Sequence, residues 1–279
     1  MQFRMEEAWT TTISLVTQNF QLLALLAGIF FFLPSVAINM IMPDLAAFFD
    51  PAVEPDELSE QLLRLFEENF WAISGVVALS LLTSFVGYLA MVALVGRNRP
   101  TVGQAIAGGF QGFATLVGCL ILFVILYVLI SMAIMLPLAM LGAVGVGAIV
   151  LLAPIVILAV IGFLMTRLCV TMPVIMVEGR LNPFAVMWRS WQLTGPSKWP
   201  IFGFWALLFV AYLVIALLTF GSLGVIAAVL GDGDMSLFIV GALNGLVGAA
   251  VSIVVACISV AIHNQLAGPR TEALEETFS

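Results

Sequence analysis

Six long apolar runs dominate the chain, at 20–42, 71–95, 113–141, 146–168, 199–218 and 237–263. Each reaches the roughly 20 residues that a helix needs to cross a hydrocarbon core of about 30 Å. The fifth is open to extension as far as Leu230, across Gly221 and Gly224. The pattern predicts an all-α fold, a polytopic membrane helical bundle of six transmembrane helices. The first run is too long for a signal-peptide apolar region and has no basic residue just before it, so it reads as a retained span.

Shorter amphipathic stretches separate some of these runs. Asn182 is a good helix N-cap, and Pro183 sits at the first helical position, where its missing N–H costs nothing. Phe184, Met187, Trp188 and Trp191 follow at i, i+3, i+4 and i+7, and Gly195-Pro196 ends the pattern. A helix of about three turns cannot span, so it is predicted to lie in the headgroup plane with its aromatics towards the hydrocarbon. Val102, Ile106, Phe110 and Phe113, after Arg99-Pro100-Thr101, form a similar face, as do Trp9, Ile13, Val16 and Phe20. Each stretch runs into a pair of spans, and Gly96-Arg97 and Gly179-Arg180 introduce the second and third alike. These similarities predict a threefold repeat of cytoplasmic surface helix plus helix pair, in units of about 5–95, 99–168 and 182–264. The repeats make up a single integral membrane domain, 1–279.

The acidic loop at 43–70 is long enough to fold. Leu58, Leu62, Leu65 and Phe66 share a face after Pro55-Asp56, with the acids largely opposite. It reads as a short helix that caps the bundle or docks a membrane protein partner.

Charge fixes the orientation. Only 9% of residues are charged, against about 25% in a soluble domain, and 63% are hydrophobic. Arg4, then Arg97 and Arg99, then Arg167, Arg180, Arg189 and Lys198, then Arg270 occupy alternate connections, leaving only Arg64 among the acids of the first outer loop. Basic residues are retained on the cytoplasmic side. The expected placement is therefore multi-pass in a bacterial inner membrane, with N- and C-termini cytoplasmic and 43–70 periplasmic.

Candidate chemistry is sparse. The interiors of the six runs lack Asp, Glu, Lys and Arg, which argues against a proton- or ion-coupled pump. Their polar groups, such as Ser80, Thr83 and Ser252, are of the kind that bonds to neighbouring helices. Asn244 lies beside the small-residue row Gly241, Gly245 and Ala249, and is the candidate intramembrane polar site. Cys119, Cys169 and Cys257 have no metal-ligand spacing and read as small hydrophobes. The single histidine, His263, has no carboxylate or cysteine near it in sequence and reads as an interfacial anchor. No phosphate-cradling loop, zinc motif, nucleophile elbow or nucleic-acid module is present, so no cofactor, metal or nucleic acid is expected. What remains is a basic, tryptophan-rich cluster. Arg167, Arg180, Arg189 and Lys198, with Trp188, Trp191 and Trp199, are candidate contacts to anionic lipid headgroups, and Glu178 can supply one internal ion pair.

The same cluster resembles a known family. Arg167, Pro173, Glu178-Gly179, Asn182-Pro183, Ala185, Arg189-Ser190-Trp191, Leu193-Thr194 and Trp199 resemble the membrane domain attached to some glycerophosphoryl diester phosphodiesterases. They are also similar to related bacterial inner-membrane proteins of the YciC type. In the fused members a separate soluble barrel performs hydrolysis, and this chain has no room for it. The resemblance thus implies a membrane architecture and carries over no catalytic residue. The expected function is that of a non-enzymatic integral inner-membrane protein that binds or organises lipid, or supports a membrane partner. The alternative is a transporter or channel for an apolar or amphiphilic small molecule.

Overall fold

A computed structural model describes residues 3–41, 55–96, 100–143, 153–230 and 233–267. Arg97, Arg99, Asp232, Arg270, the loop at 43–54 and the start of the fourth run at 146–152 lie outside the described residues. The described residues form helices and no strand. Among the described residues six helices are long and apolar enough to cross a membrane: Met5–Met40, Asn69–Val95, Val102–Leu138, Pro154–Met176, Lys198–Thr219 and Met235–Ala267. They coincide with the six apolar runs.

The first crossing is α1 (Met5–Ala27), a π-helical turn at Gly28–Phe32 and α2 (Leu33–Ile41). Pro34 accounts for the widened turn. Proline has no N–H to give the carbonyl four residues back, and its ring would strike that carbonyl in a regular helix. The Leu33 N–H bonds to the Gly28 carbonyl instead, five residues back, and the crossing continues. The second crossing belongs to α3 (Pro55–Val95), which departs from helical geometry at Asn69 (φ −121°, ψ 24°). That break separates the predicted acidic helix from the span.

The third crossing is α4 (Val102–Ala143), opened by a reciprocal cap. The Gln104 side chain accepts from the Thr101 N–H at 3.0 Å, and the Thr101 hydroxyl accepts from the Gln104 N–H at 3.4 Å. Then follow α5 (Ala153–Leu168), the short α6 (Thr171–Met176), α7 (Pro183–Thr194), α8 (Lys198–Leu230) and α9 (Asp234–Ala267). Helix α8 does continue across Gly221 and Gly224. The threefold repeat is not shown by the fold. The first two amphipathic stretches run without a break into their spans, within α1 and α4, and only the third forms a separate helix.

Alternating crossings bring the start of α1, the ends of α3, α5 and α9, and the starts of α4 and α8 to one end of the bundle, with α6 and α7. The core lies there. Helix α9 is the central element, packed against α1, α2, α3, α6, α7 and α8. Its Gly241 and Gly245 let it approach the first crossing closely: a Cβ on Gly241 would stand 2.9 Å from Asn39 Cβ, and one on Gly245 3.0 Å from the Phe32 carbonyl oxygen. The predicted small-residue row is thus a packing face, and Asn244 beside it is half-buried. By contrast, buried positions stop at Cys119 in α4 and at Phe204 in α8, and begin only at Leu164 in α5. Beyond those points the far halves of these helices bury none of the residues whose exposure is described, so their apolar side chains are left on the outside of the bundle. Ser80, Thr83 and Ser252 spend their hydroxyls on carbonyls of their own helices rather than on neighbours.

Candidate functional site

Helix α7 is fixed at its start by local chemistry. Asn182 caps it, accepting from the Phe184 and Ala185 N–H groups at 3.0 and 3.4 Å, and Pro183 opens its first turn. Upstream, Gly179 adopts φ +67°, a left-handed conformation that glycine enters without strain and that turns the chain between Glu178 and Arg180. The Thr115 hydroxyl of α4 donates to the Leu181 carbonyl at 2.8 Å, which ties this entry loop to the third crossing.

The buried side of α7 is not its aromatic stripe. Val186, Ser190 and Thr194 are buried, while Phe184 and Trp188 are 71% and 65% exposed. The reason is a hydrogen-bond demand on the neighbouring helix. The last carbonyls of α5 have no partner within their own helix. The Ser190 hydroxyl donates to the Arg167 carbonyl at 2.9 Å and caps that end, while the Thr194 hydroxyl, 3.2 Å from the same carbonyl, donates to the Ser190 carbonyl of its own helix at 2.8 Å. Thus α7 is inserted among the helix ends by its small polar face and turns its large aromatics outward.

Next to this face lies a charged centre built on Glu178. The Arg189 Nε–H donates to both Glu178 oxygens at 3.1 Å, and Arg180 Nε lies 3.1 Å from Oε2. His263 Nε2 lies 3.3 Å from Oε1, with the carboxylate accepting. The imidazole is 4% exposed, so the residue expected as an interfacial anchor is instead a buried partner of a carboxylate 85 positions away. Burial alone would raise the Glu178 pKa. Hydrogen bonds from His263 and Arg189, with their positive charge, outweigh it and hold the carboxyl below its ordinary 4.5.

A depressed carboxyl pKa contributes stability that is complete above the unfolded value and is lost as pH falls through the folded one. The melting temperature in detergent is therefore expected to decline below pH 4.5, and to decline less in a Glu178→Gln variant. Equal declines in the two proteins would assign the acid sensitivity to other groups.

The remaining candidates fall in two places. Arg167 is buried, with its guanidinium carbon 4.1 Å from the centre of the Trp191 ring and Nη1 3.2 Å from the Thr194 hydroxyl. Phe163 meets Trp191 edge-on and also touches Trp199, which touches Phe202, so an aromatic wall runs from α5 across to α8. Lys198, Trp188 and Trp199 are exposed. Sequence reasoning places Arg189 among the lipid contacts, but its guanidinium turns inward. Nothing local in the sequence marks Ser190, Thr194 or His263 as contacts, because only tertiary packing gives them their partners.

Among the described residues no group of three or more His, Cys, Asp or Glu is placed to hold a metal ion. No protein-family model, curated protein or solved structure matches the chain.

Proposed function

We propose that this is a non-enzymatic integral protein of a bacterial inner membrane that binds anionic lipid through the end of the bundle carrying α7. The observation that carries the reading is the composition of that end. Exposed Phe184, Trp188 and Trp199 stand beside Arg180 and Lys198, the pairing of aromatic anchors and cations suited to a headgroup layer. The alternation of basic residues along the sequence makes this end cytoplasmic, with both termini there. Glu178, the one carboxylate between α6 and α8, is engaged by two arginines and His263, which supports a structural role for it over a catalytic one.

An exposed basic residue near an anionic surface contributes about 1 kcal/mol. Reconstituted protein is expected to favour phosphatidylglycerol over phosphatidylcholine, and an Arg180→Gln/Lys198→Gln variant to lose about tenfold of that preference, Arg180 being partly engaged by Glu178. Equal retention of the two lipids by the unaltered protein would overturn the reading. A second reading, a route for an apolar or amphiphilic solute, draws on a groove of about 290 Å³ between the first two crossings. Ile29, Leu33, Ala37, Val76 and Leu79 line it with the hydroxyl-bearing Ser80 and Thr83. Solute flux into proteoliposomes, abolished by Ala37→Phe, would favour that reading instead.

A further inference from the structure

We propose that Arg167 is the seat of a single lipid-borne phosphate, held between the near ends of α5 and α8. The inference rests on the headgroup reading above and narrows it from a charged surface to one buried cation. Arg167 is only 5% exposed, and among the described residues no carboxylate lies within ion-pair distance of it. A guanidinium keeps its proton, so the charge cannot be shed to relieve burial. Burying an ion without a counter-charge is costly, and something must compensate.

Part of the compensation is visible. The Trp191 ring face lies under the guanidinium, the Thr194 hydroxyl accepts from Nη1, and Nη1 stands at the C-terminal end of α7, 3.5 Å from where a Cβ on Gly195 would be. These supply partial charges only. The Nε–H is buried and has no acceptor. With Nη1 turned towards Thr194, the edge carrying Nε–H is left for another acceptor, and that edge of a guanidinium matches the spacing of two oxygens on a phosphate.

The surroundings favour a phosphate that arrives on a lipid. Trp199 and Lys198 open α8 at the level of the aromatic wall, and both are exposed. Farther along the same helices Leu158 and Leu207 are exposed and apolar, a bed for acyl chains. Free phosphate offers the same oxygens and lacks the chains. Lipid contact at Arg167 also explains why a span otherwise free of charge ends in a buried one.

The test is relative lipid affinity of the full chain, read by native mass spectrometry with phosphatidylglycerol, phosphatidylcholine and competing inorganic phosphate. The unaltered protein is expected to retain one phosphatidylglycerol that millimolar phosphate does not displace. Arg167→Lys keeps the charge and loses the two-donor edge, and should weaken that lipid about tenfold, the worth of one charge-assisted hydrogen bond. Unchanged affinity in Arg167→Lys overturns the proposal. If Arg180→Gln/Lys198→Gln still lowers the anionic preference in that case, the headgroup reading survives alone. Displacement by inorganic phosphate would show a free-phosphate site and overturn the lipid assignment. Should Arg167→Lys fail to fold, hydrogen exchange on the unaltered protein decides. Protection of the Arg167 and Gly195–Lys198 backbone by phosphatidylglycerol, and not by phosphatidylcholine, supports the site, and equal exchange in both lipids rejects it.

Discussion

Replacing Glu178 by alanine should lower the melting temperature of the protein in nanodiscs by on the order of 10 °C. The carboxylate is 13% exposed and neutralises Arg189, whose side chain is 12% exposed. Removing one member of a buried pair leaves the other charged and stranded, at a cost of about 3–5 kcal/mol. Arg189 cannot escape by deprotonating, and its Nη2 is already buried without an acceptor. Removing both partners is a different perturbation. A Glu178→Leu/Arg189→Met variant should recover much of the loss, because matched apolar replacements of a buried pair are often nearly neutral. If the double variant melts no higher than Glu178→Ala, the pair is not the source of the stability. Arg180, at 45% exposed, contributes little in either background, since solvent screens it.

A methyl group on Gly109 is the second large perturbation. Its Cβ would stand 2.8 Å from the Val86 carbonyl oxygen and 3.5 Å from the Ala90 amide nitrogen, both backbone atoms of α3. Backbone cannot rotate away, so α3 and α4 must part at this contact. Overpacking of this kind costs about 1–3 kcal/mol. Gly103 lies in the same helix, and a Cβ added there would meet nothing within 4 Å. Gly103→Ala should therefore stabilise, by less than the roughly 0.5–1 kcal/mol of a mid-helix site because Gly103 lies in the first turn. Thermal unfolding of the two variants side by side should show shifts of opposite sign. Shifts of the same sign would mean that the contact with Val86 does not limit the approach of these helices.

The contrast between Gly103 and Gly109 shows what the sequence could reveal. Both are glycines in an amphipathic stretch ahead of a span, and nothing local tells them apart. The six crossings were legible because length and apolarity are local quantities that a hydrocarbon layer imposes directly. The start of α7 was legible for a similar reason, since Asn182 and Pro183 act on the backbone within three residues. The buried face of α7 was not. The stripe set Phe184 and Trp188 towards the hydrocarbon, and both are exposed, but nothing local showed that Ser190 would turn to the Arg167 carbonyl at the end of α5. The partnership of His263 with Glu178 was also hidden, because 85 positions separate them and nothing near either residue points to the other. Glu178 did offer one clue, as the one acid in a basic connection.

The central position of α9 has a consequence for biosynthesis. Ribosomes deliver the chain from its N-terminus, so α1, α2, α3 and α8 are made before the helix they share as a neighbour exists. Even residues 3 and 4 wait for it. Phe3 is buried in one cluster with Ile258 and Ile262, and Arg4 and Gln265 exchange hydrogen bonds across 261 positions at 3.3 and 3.2 Å. Closing so long a loop is slow relative to forming local helices. During translation α3 and α4 can pair as soon as both exist, but the first crossing keeps most of its packing face uncovered until α9 arrives. Uncharged crossings suit that delay, because each can rest in hydrocarbon without a partner while the keystone is still being made.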